Sequence, residues 1–350
     1  MHILITGNQG YIGPIVTRLA KEREHEVTGL DSGYFQDCLS EGEPEVLPDR
    51  QIIRDIRDVS LDDLDDVDAI IHLAGLSNDP MGALKPELTH EINFAATARL
   101  GRLAKRVGIP RLVFASSCST YGSAHNSDAP LDEKAPFNPV SAYAISKVKS
   151  EEALSSLADE DFSPVFMRNA TAYGVSPRMR FDLVVSNLAG WAHTAGVIKV
   201  MSDGTPWRPI VHIEDIALAA ICAAEAPREA VHNQAFNIGR NDGNYQVKDI
   251  AEAVAQAFPG AKLEITGETG GDLRSYRVSF EKALRKLPGF SPRWTLKKGV
   301  EEVAKWLKSG GLRDTAFDSR LFVRLKQLNY CLEKGIVDAD LRMRVLSATA

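Results

Sequence analysis

The stretch His2-Ile3-Leu4-Ile5-Thr6-Gly7-Asn8-Gln9-Gly10-Tyr11-Ile12-Gly13-Pro14 decides the fold. Ile3, Leu4 and Ile5 form the short, continuous apolar run that a strand buried on both faces carries. Gly7, Gly10 and Gly13 follow directly, and a helical apolar pattern runs from Ile12 to Arg23. At a strand-to-helix turn, Gly7 permits the tight reversal, Gly10 lets the backbone approach a pyrophosphate, and Gly13 allows close helix-to-strand packing. The helix N-terminus adds free N–H groups and a dipole that favours phosphate. Pro14 falls in the first turn, where a missing N–H costs little. A turn that merely reverses the chain is the bland alternative, and the strand and helix on either side argue against it.

Outward from that loop, apolar runs alternate with helical segments. Strands are expected at Glu26–Asp31, Arg50–Asp55, Ala69–Leu73, Arg111–Ser116, Pro164–Arg168, Pro209–His212 and Ala235–Ile238. Helices are expected at 87–107, 142–157, 182–195, 213–226 and 247–258. Buried strands separated by helices predict an α/β, Rossmann-type doubly wound parallel sheet of about seven strands, with ligands beyond the strands' carboxyl ends. A smaller α/β substrate lobe and a C-terminal helical extension complete the expected architecture. The division expected is 1–175, with 207–242 returning to it, for the cofactor domain. Residues 176–206 and 243–309 would form the lobe, and 310–350 a basic helical extension appended to the catalytic body. Gly7, Gln9, Gly10, Tyr11, Ile12 and Gly13 are the expected loop contacts to a dinucleotide. Asp31 closes the second strand, where a carboxylate accepts from the adenosine ribose hydroxyls and repels a 2′-phosphate, so NAD is the expected cofactor. Asp55 and Ile56, after the third strand, are placed for the adenine edge.

Composition bounds the rest. The chain has 350 residues, with 44% hydrophobic and 25% charged, which fits a globular protein larger than a single simple core. Its net charge of −6, from 41 basic and 47 acidic residues, disfavours a nucleic-acid or membrane-surface binder. The four cysteines, Cys38, Cys118, Cys222 and Cys331, are scattered without metal spacing, so neither a disulfide framework nor a metal site is expected. No secretory leader or membrane-length apolar run is visible, and a cytoplasmic location is expected. The acidic run Asp62-Asp63-Leu64-Asp65-Asp66-Val67-Asp68 reads as a solvated helix-and-turn face. His72 and His212 read as packed strand residues, Cys118 as a small buried side chain, and Trp191, Trp207, Trp294 and Trp306 as core or lobe packing.

Tyr143 and Lys147 are spaced i and i+4, on one face of a helix. A neighbouring ammonium stabilises phenolate, so Lys147 is expected to draw the Tyr143 pKa down toward the operating pH. Ser116-Ser117-Cys118-Ser119 at the end of the fifth strand offers hydroxyls to orient a reacting oxygen.

Together these motifs resemble the extended short-chain dehydrogenase/reductase family, in its nucleotide-sugar epimerase/dehydratase branch. The likeness runs from Met1 to about Leu307. The glycine loop matches GxxGxxG. His72-Leu73-Ala74-Gly75 matches the segment lining the nicotinamide side, and Asn93 matches the asparagine of the following helix. The resemblance implies Ser117 as the catalytic hydroxyl, Tyr143 as the base and Lys147 as the ribose-binding lysine. It also implies an enzyme, with Leu73, Ala74, Gly75 and Asn93 on the cofactor. Arg208, in Arg208-Pro209-Ile210-Val211-His212, matches an arginine that contacts nucleotide phosphate, and Gly271-Asp272-Leu273-Arg274 a loop near the nucleotide.

The departures narrow the chemistry. The 4,6-dehydratases of the branch carry Asp-Glu where Cys118-Ser119 stand, which argues against dehydration. The UDP-galactose 4-epimerases carry an asparagine about where Thr171 falls and an arginine near Thr269. Arg180, Asn187, Arg274 and Arg277 are the expected replacements, and Ser77 and Asn78 the residues facing the sugar, with Ser117, Cys118 and Ser119 opposite. The expected activity is NAD-dependent epimerisation of a nucleotide-activated sugar at C4 through a transient keto form. An NAD(P)H-dependent ketosugar reductase is the alternative, and a non-catalytic dinucleotide sensor a remote one. A homodimer through helices 87–107 and 142–157 is the family-level expectation.

Overall fold

The computed structural model describes residues 1–40, 42–122, 129–268, 274–312 and 316–344. In chain order, β1 (His2–Thr6), α1 (Gly13–Glu22), β2 (Glu26–Asp31), β3 (Arg50–Ile53) and β4 (Ala69–His72) come first. Next are α2 (Asp79–Leu84), α3 (Pro86–Thr89), α4 (Ala96–Val107), β5 (Arg111–Ser117), α5 (Ala142–Ser155), β6 (Ser163–Asn169) and β7 (Thr171–Tyr173). Then come α6 (Val184–Ala195), β8 (Val197–Val200), β9 (Trp207–His212), α7 (Ile213–Glu225), α8 (Arg228–Val231), β10 (Gln234–Ile238) and β11 (Asn244–Gln246). Last are α9 (Val247–Ala257), β12 (Lys262–Ile265), α10 (Glu281–Lys286), α11 (Leu296–Lys308) and α12 (Arg324–Glu333).

Seven strands pair in the order β10-β6-β5-β4-β1-β2-β3, every pair parallel. The connection reverses direction between β1 and β4, so a crevice opens above the carboxyl ends of those two strands. Alternation along the strands serves both faces of the sheet. Ile3, Ile5, Ile71 and Val113 face a core with α1 and α7, while Leu4, Ile70, Leu112 and Phe114 face one with α4 and α5.

The expected helix over 87–107 is continuous from Pro86, but His90–Ala95 winds in wide π turns. The Asn93 carbonyl accepts from the Thr97 hydroxyl at 2.6 Å and the Ser150 hydroxyl at 3.1 Å, which satisfies backbone there. π turns of this kind collect at functional sites. The strand read at Pro209–His212 does not join the main sheet. As β9 it lies between β7, parallel, and β11, antiparallel. β8 and β12 form a separate parallel pair.

The C-terminal extension is the main difference from expectation. Among the described residues it has one helix, α12. Leu341 has φ +56, so the chain is not in a right-handed helix there. The segment is also not an appendage. Leu328, Cys331, Val337 and Leu341 are buried in the α4–α5 core. Asp63, read as part of a solvated face, is buried and paired with Arg54 at 2.6 Å. Trp306 is buried as expected, whereas Trp191 is 43% exposed and leans on Phe317.

Candidate active site

One cleft of about 910 Å³ runs along the crevice above β1 and β4. The glycine loop forms its floor. A Cβ on Gly7, at φ +77, would lie 2.7 Å from Ala74 N, and one on Gly13 would lie 2.4 Å from Asn8 O. These glycines bring the loop against the β4 turn and the helix against the loop. Gly10, Tyr11 and Ile12 line the cleft between them. At the far end of β2 the Asp31 carboxylate is buried, and burial raises its pKa. It accepts from Gly33 N at 2.8 Å and Gln9 N at 3.1 Å, and still faces the cleft. Asp55 and Ile56 line the same end. A glycine floor without side chains, a carboxylate at the end of β2 and an unpartnered buried amide oxygen, Asn169 Oδ1, at the end of β6 are donors and space that fit a dinucleotide.

Ser117 and Tyr143 meet in the middle of the cleft. Ser117 ends β5, and Tyr143 is in the first turn of α5, which Ser141 caps by accepting from Ala144 N at 3.1 Å. Burial pushes the Tyr143 phenol up to about 12, while a hydrogen bond with Ser117 and the charges of Arg180 and Arg274 pull it down. This corrects the expected downward shift: in the protein alone desolvation outweighs the neighbouring cations. The Lys147 ammonium is spent on the Ala115 carbonyl, at 2.6 Å, and burial lowers its pKa to about 8. Beneath them Glu151 accepts from the Ser116 hydroxyl and pairs with Arg168 at 2.8 Å, both side chains buried.

Beyond the tyrosine, Ser77, Asn78, Ser119, Thr171, Arg180, Arg208 and Arg274 line the remaining wall. Arg180 holds Asp182 at 2.8 Å and Ser77 at 3.0 Å, Asn78 donates to Asp182 at 2.9 Å, and Arg274 pairs with Asp79 at 2.8 Å. Leu73, Ala74 and Gly75 line the edge after β4.

Five residues read as ligand contacts are placed elsewhere. Asn93 is buried behind the cleft wall. Its amide accepts from Leu76 N at 2.7 Å and donates to Leu76 O at 3.0 Å, so it positions the Gly75–Leu76 turn. Gln9 reaches Asp31 through its backbone N–H, not its side chain. Cys118 turns away, its thiol donating to Arg168 O at 3.1 Å, and burial drives its pKa up. Asn187 donates to Phe181 O at 3.0 Å inside the α6 turn, and the Arg277 guanidinium stacks 5.3 Å from the Trp207 ring. Gly271, Asp272, Leu273 and Thr269 lie outside the described residues. His72 packs as expected, its ring nitrogens 2.6 Å from Thr6 Oγ1 and 2.7 Å from Thr97 Oγ1.

Other lining residues carried no signal in the sequence. Tyr34, Phe35, Asp182 and Tyr276 sit on irregular connections, and Arg324 comes from the C-terminal extension.

A glycine-floored dinucleotide cleft with a serine, a tyrosine and a lysine at its centre defines a class of α/β enzymes that move a hydride while a phenol moves a proton. Residues 3–239 match the model of the NAD dependent epimerase/dehydratase family, and the chain belongs to that family. A UDP-glucose 4-epimerase of Corynebacterium glutamicum is 29% identical over 333 residues, covering 90% of this chain and 97% of that protein. A UDP-glucose 4-epimerase of Bacillus subtilis is 26% identical over 335 residues, covering 87% and 94%. Among solved structures, MoeE5 in complex with UDP-glucuronic acid and NAD superposes with a TM-score of 0.75 at 26% identity, over 89% of this chain and all of that one.

Proposed function

We propose that this chain epimerises a UDP-activated sugar at C4, using NAD bound in the cleft. Tyr143 takes the C4 hydroxyl proton, Ser117 holds that oxygen by a hydrogen bond, and Lys147 keeps positive charge beside the phenol. When bound, NAD supplies an acceptor for the sugar's hydride and gives it back, so no net oxidant is consumed. Delivery of that hydride to the opposite face of the keto sugar would invert the centre, and Tyr143 would return the proton to the C4 oxygen.

The observation that carries this reading is the strand end after Ser117. Elimination of water needs an acid and a base there. Cys118 instead points into the protein with its thiol pKa raised, and Ser119 is a neutral hydroxyl. The cleft thus serves proton and hydride transfer at one carbon. The relatives named UDP-glucose 4-epimerase support UDP as the nucleotide and C4 as the centre. The site roles follow: Ser117, Tyr143 and Lys147 react or assist. Asp31, Asp55, Ile56 and the glycine loop hold the cofactor, and Arg180, Arg208 and Arg274 the sugar diphosphate.

The same reading keeps 1–175 with α7 and β10 as the cofactor part, and 176–206 with 243–309 as the substrate lobe. The active form is a homodimer, its α5 face bearing the exposed Ile145. Four buried free cysteines support a reducing, cytoplasmic setting, and among the described residues no helix is long and apolar enough to cross a membrane.

Incubation with UDP-, dTDP-, GDP- and CDP-sugars, without added cofactor, tests the proposal. The expected product is the C4 epimer of a UDP-sugar, formed catalytically and lost in Tyr143→Phe. Product formed only with stoichiometric NADH or NADPH would make the chain a ketosugar reductase.

A further inference from the structure

The most unusual charge in the cleft belongs to Arg324. It is the first residue of α12, 293 positions beyond Asp31 in sequence, yet it lines the same cleft as Gly10, Tyr11, Asp31 and Phe35. The side chain is 2% exposed. Its guanidinium donates to Arg178 O at 2.7 Å and Leu321 O at 3.2 Å, and its Cζ lies 5.0 Å from the Phe35 ring centroid. Among the described residues no carboxylate lies within ion-pair distance of it. The nearby cations are already matched, Arg178 by Glu45 at 2.7 Å and Arg180 by Asp182 at 2.8 Å. Arg324 is thus a buried cation with no carboxylate in ion-pair contact, and its charge acts on Tyr11 and Asp31 as well as on the Arg180–Asp182 pair. A buried charge of this kind is costly unless an anion joins it.

The glycine loop lacks that complement. Residues 7–13 contain no lysine or arginine, so the loop offers a pyrophosphate N–H groups and a dipole but no positive charge. The extension also ties down the chain around the adenosine end. The Tyr34 hydroxyl donates to Leu341 O, Gln327 Nε2 donates to Tyr34 O at 3.2 Å, Arg57 Nη2 reaches Leu341 O at 3.4 Å, and Arg342 lies 3.5 Å from Asp55.

We propose that the C-terminal extension is a cofactor strap, in which Arg324 binds the pyrophosphate of NAD and the segment around Leu341 fixes the Tyr34–Asp55 wall of the adenosine pocket. This rests on the cleft binding a dinucleotide, and not on the identity of the sugar. The shared chemistry is a diphosphate. Of the two diphosphates the cleft would take, that of NAD is favoured because Arg324 lies against Phe35, its charge acts on Tyr11 of the glycine loop and on Asp31, and its own segment is bonded to Tyr34 and Asp55.

Calorimetric binding of NAD, ADP, adenosine and UDP to the full chain and to Arg324→Met tests it. Wild-type binding of NAD first checks the cleft assignment separately. The expected result is that NAD and ADP weaken by about tenfold or more, the scale of a lost charge-assisted hydrogen bond. Adenosine and UDP keep their affinity, and Arg324→Lys recovers most of the loss. Unchanged NAD and ADP affinity overturns the proposal, as does equal weakening of ADP and adenosine. Weakening of UDP instead assigns the charge to the sugar nucleotide and also overturns it. Amide exchange of the wild type is a second measurement that needs no variant. NAD is expected to slow exchange across 324–333, and exchange there untouched by NAD refutes the strap.

Discussion

Lys147 shows how the site trades stability for charge. Burial holds its ammonium at a pKa of about 8, against 10.5 for an unburied lysine. The unfolded chain therefore keeps its proton up to about pH 10.5 while the folded chain releases it near 8, so stability rises with pH through that window. Below pH 8 the whole penalty is present, about 3 kcal/mol. Lys147→Met removes it but leaves the Ala115 carbonyl without its donor, worth about 1–2 kcal/mol. The expected outcome in urea unfolding at pH 7 is a variant about 1–2 kcal/mol more stable than wild type and devoid of epimerase activity. The gain should fade as the pH approaches 10.5, and a variant less stable at pH 7 would contradict this account. The Tyr143–Lys147 pair was legible from its spacing taken together with the glycine loop and the hydroxyl-rich end of β5. The sign of the tyrosine's shift was not, because it depends on how much water the fold removes from the phenol, and no local spacing encodes that.

Helix α5 carries Tyr143 and Lys147, and its start is set by Ser141. That hydroxyl caps the helix and also donates to Asp79, which links the cap to the start of α2. Ser141→Ala is expected to cost about 1 kcal/mol of stability, the usual value of such a cap. It should also lower kcat at nearly constant cofactor affinity, because the first turn that aims Tyr143 loosens; initial-rate kinetics and NAD binding separate the two effects. Glu151 supports the same helix from below. Glu151→Gln leaves Arg168 charged and buried, and about 3–5 kcal/mol is expected to be lost in equilibrium unfolding. At this scale the sequence is a good guide to long parallel strands, since Ile3–Ile5, Ile70–Ile71 and Leu112–Phe114 are apolar on both faces. It is a poor guide to β7, β8, β11 and β12. Each has four residues or fewer, and pairs only with a strand distant in sequence, as Thr171–Tyr173 does with Ile210–His212. Asn93 marks the same limit. Its position on a helix was readable, but the π turns that aim it at Leu76 rather than at a ligand come from packing against Ser146 and Ser150.

Over the whole molecule, the two faces of the sheet carry cores of different make-up. The α1–α7 face continues through β9 and α11, whereas the α4–α5 face is completed by the last described residues of the chain. Charge and helical pattern suggested a basic appendage after Gly310, because apolar residues spaced along a short helix do not say which surface they will meet. In the fold, Leu328 is wholly buried beside Cys331, Val337 and Leu341 and shares a core with Tyr34 and Ile56, so the segment is expected to unfold together with the parallel sheet. Leu328→Ala removes a buried side chain and leaves a cavity, with an expected cost of about 2–5 kcal/mol. Circular dichroism and intrinsic fluorescence should report one coincident transition, shifted to lower denaturant with an unchanged slope, as expected of a cooperative unit. An early transition of small amplitude, with the main one left in place, would show the extension to be independently mobile. NAD binding gives a stricter check in the same variant. Because the extension holds the wall that contains Tyr34 and Asp55, affinity should fall along with stability, and saturating NAD should return part of the lost stability by mass action.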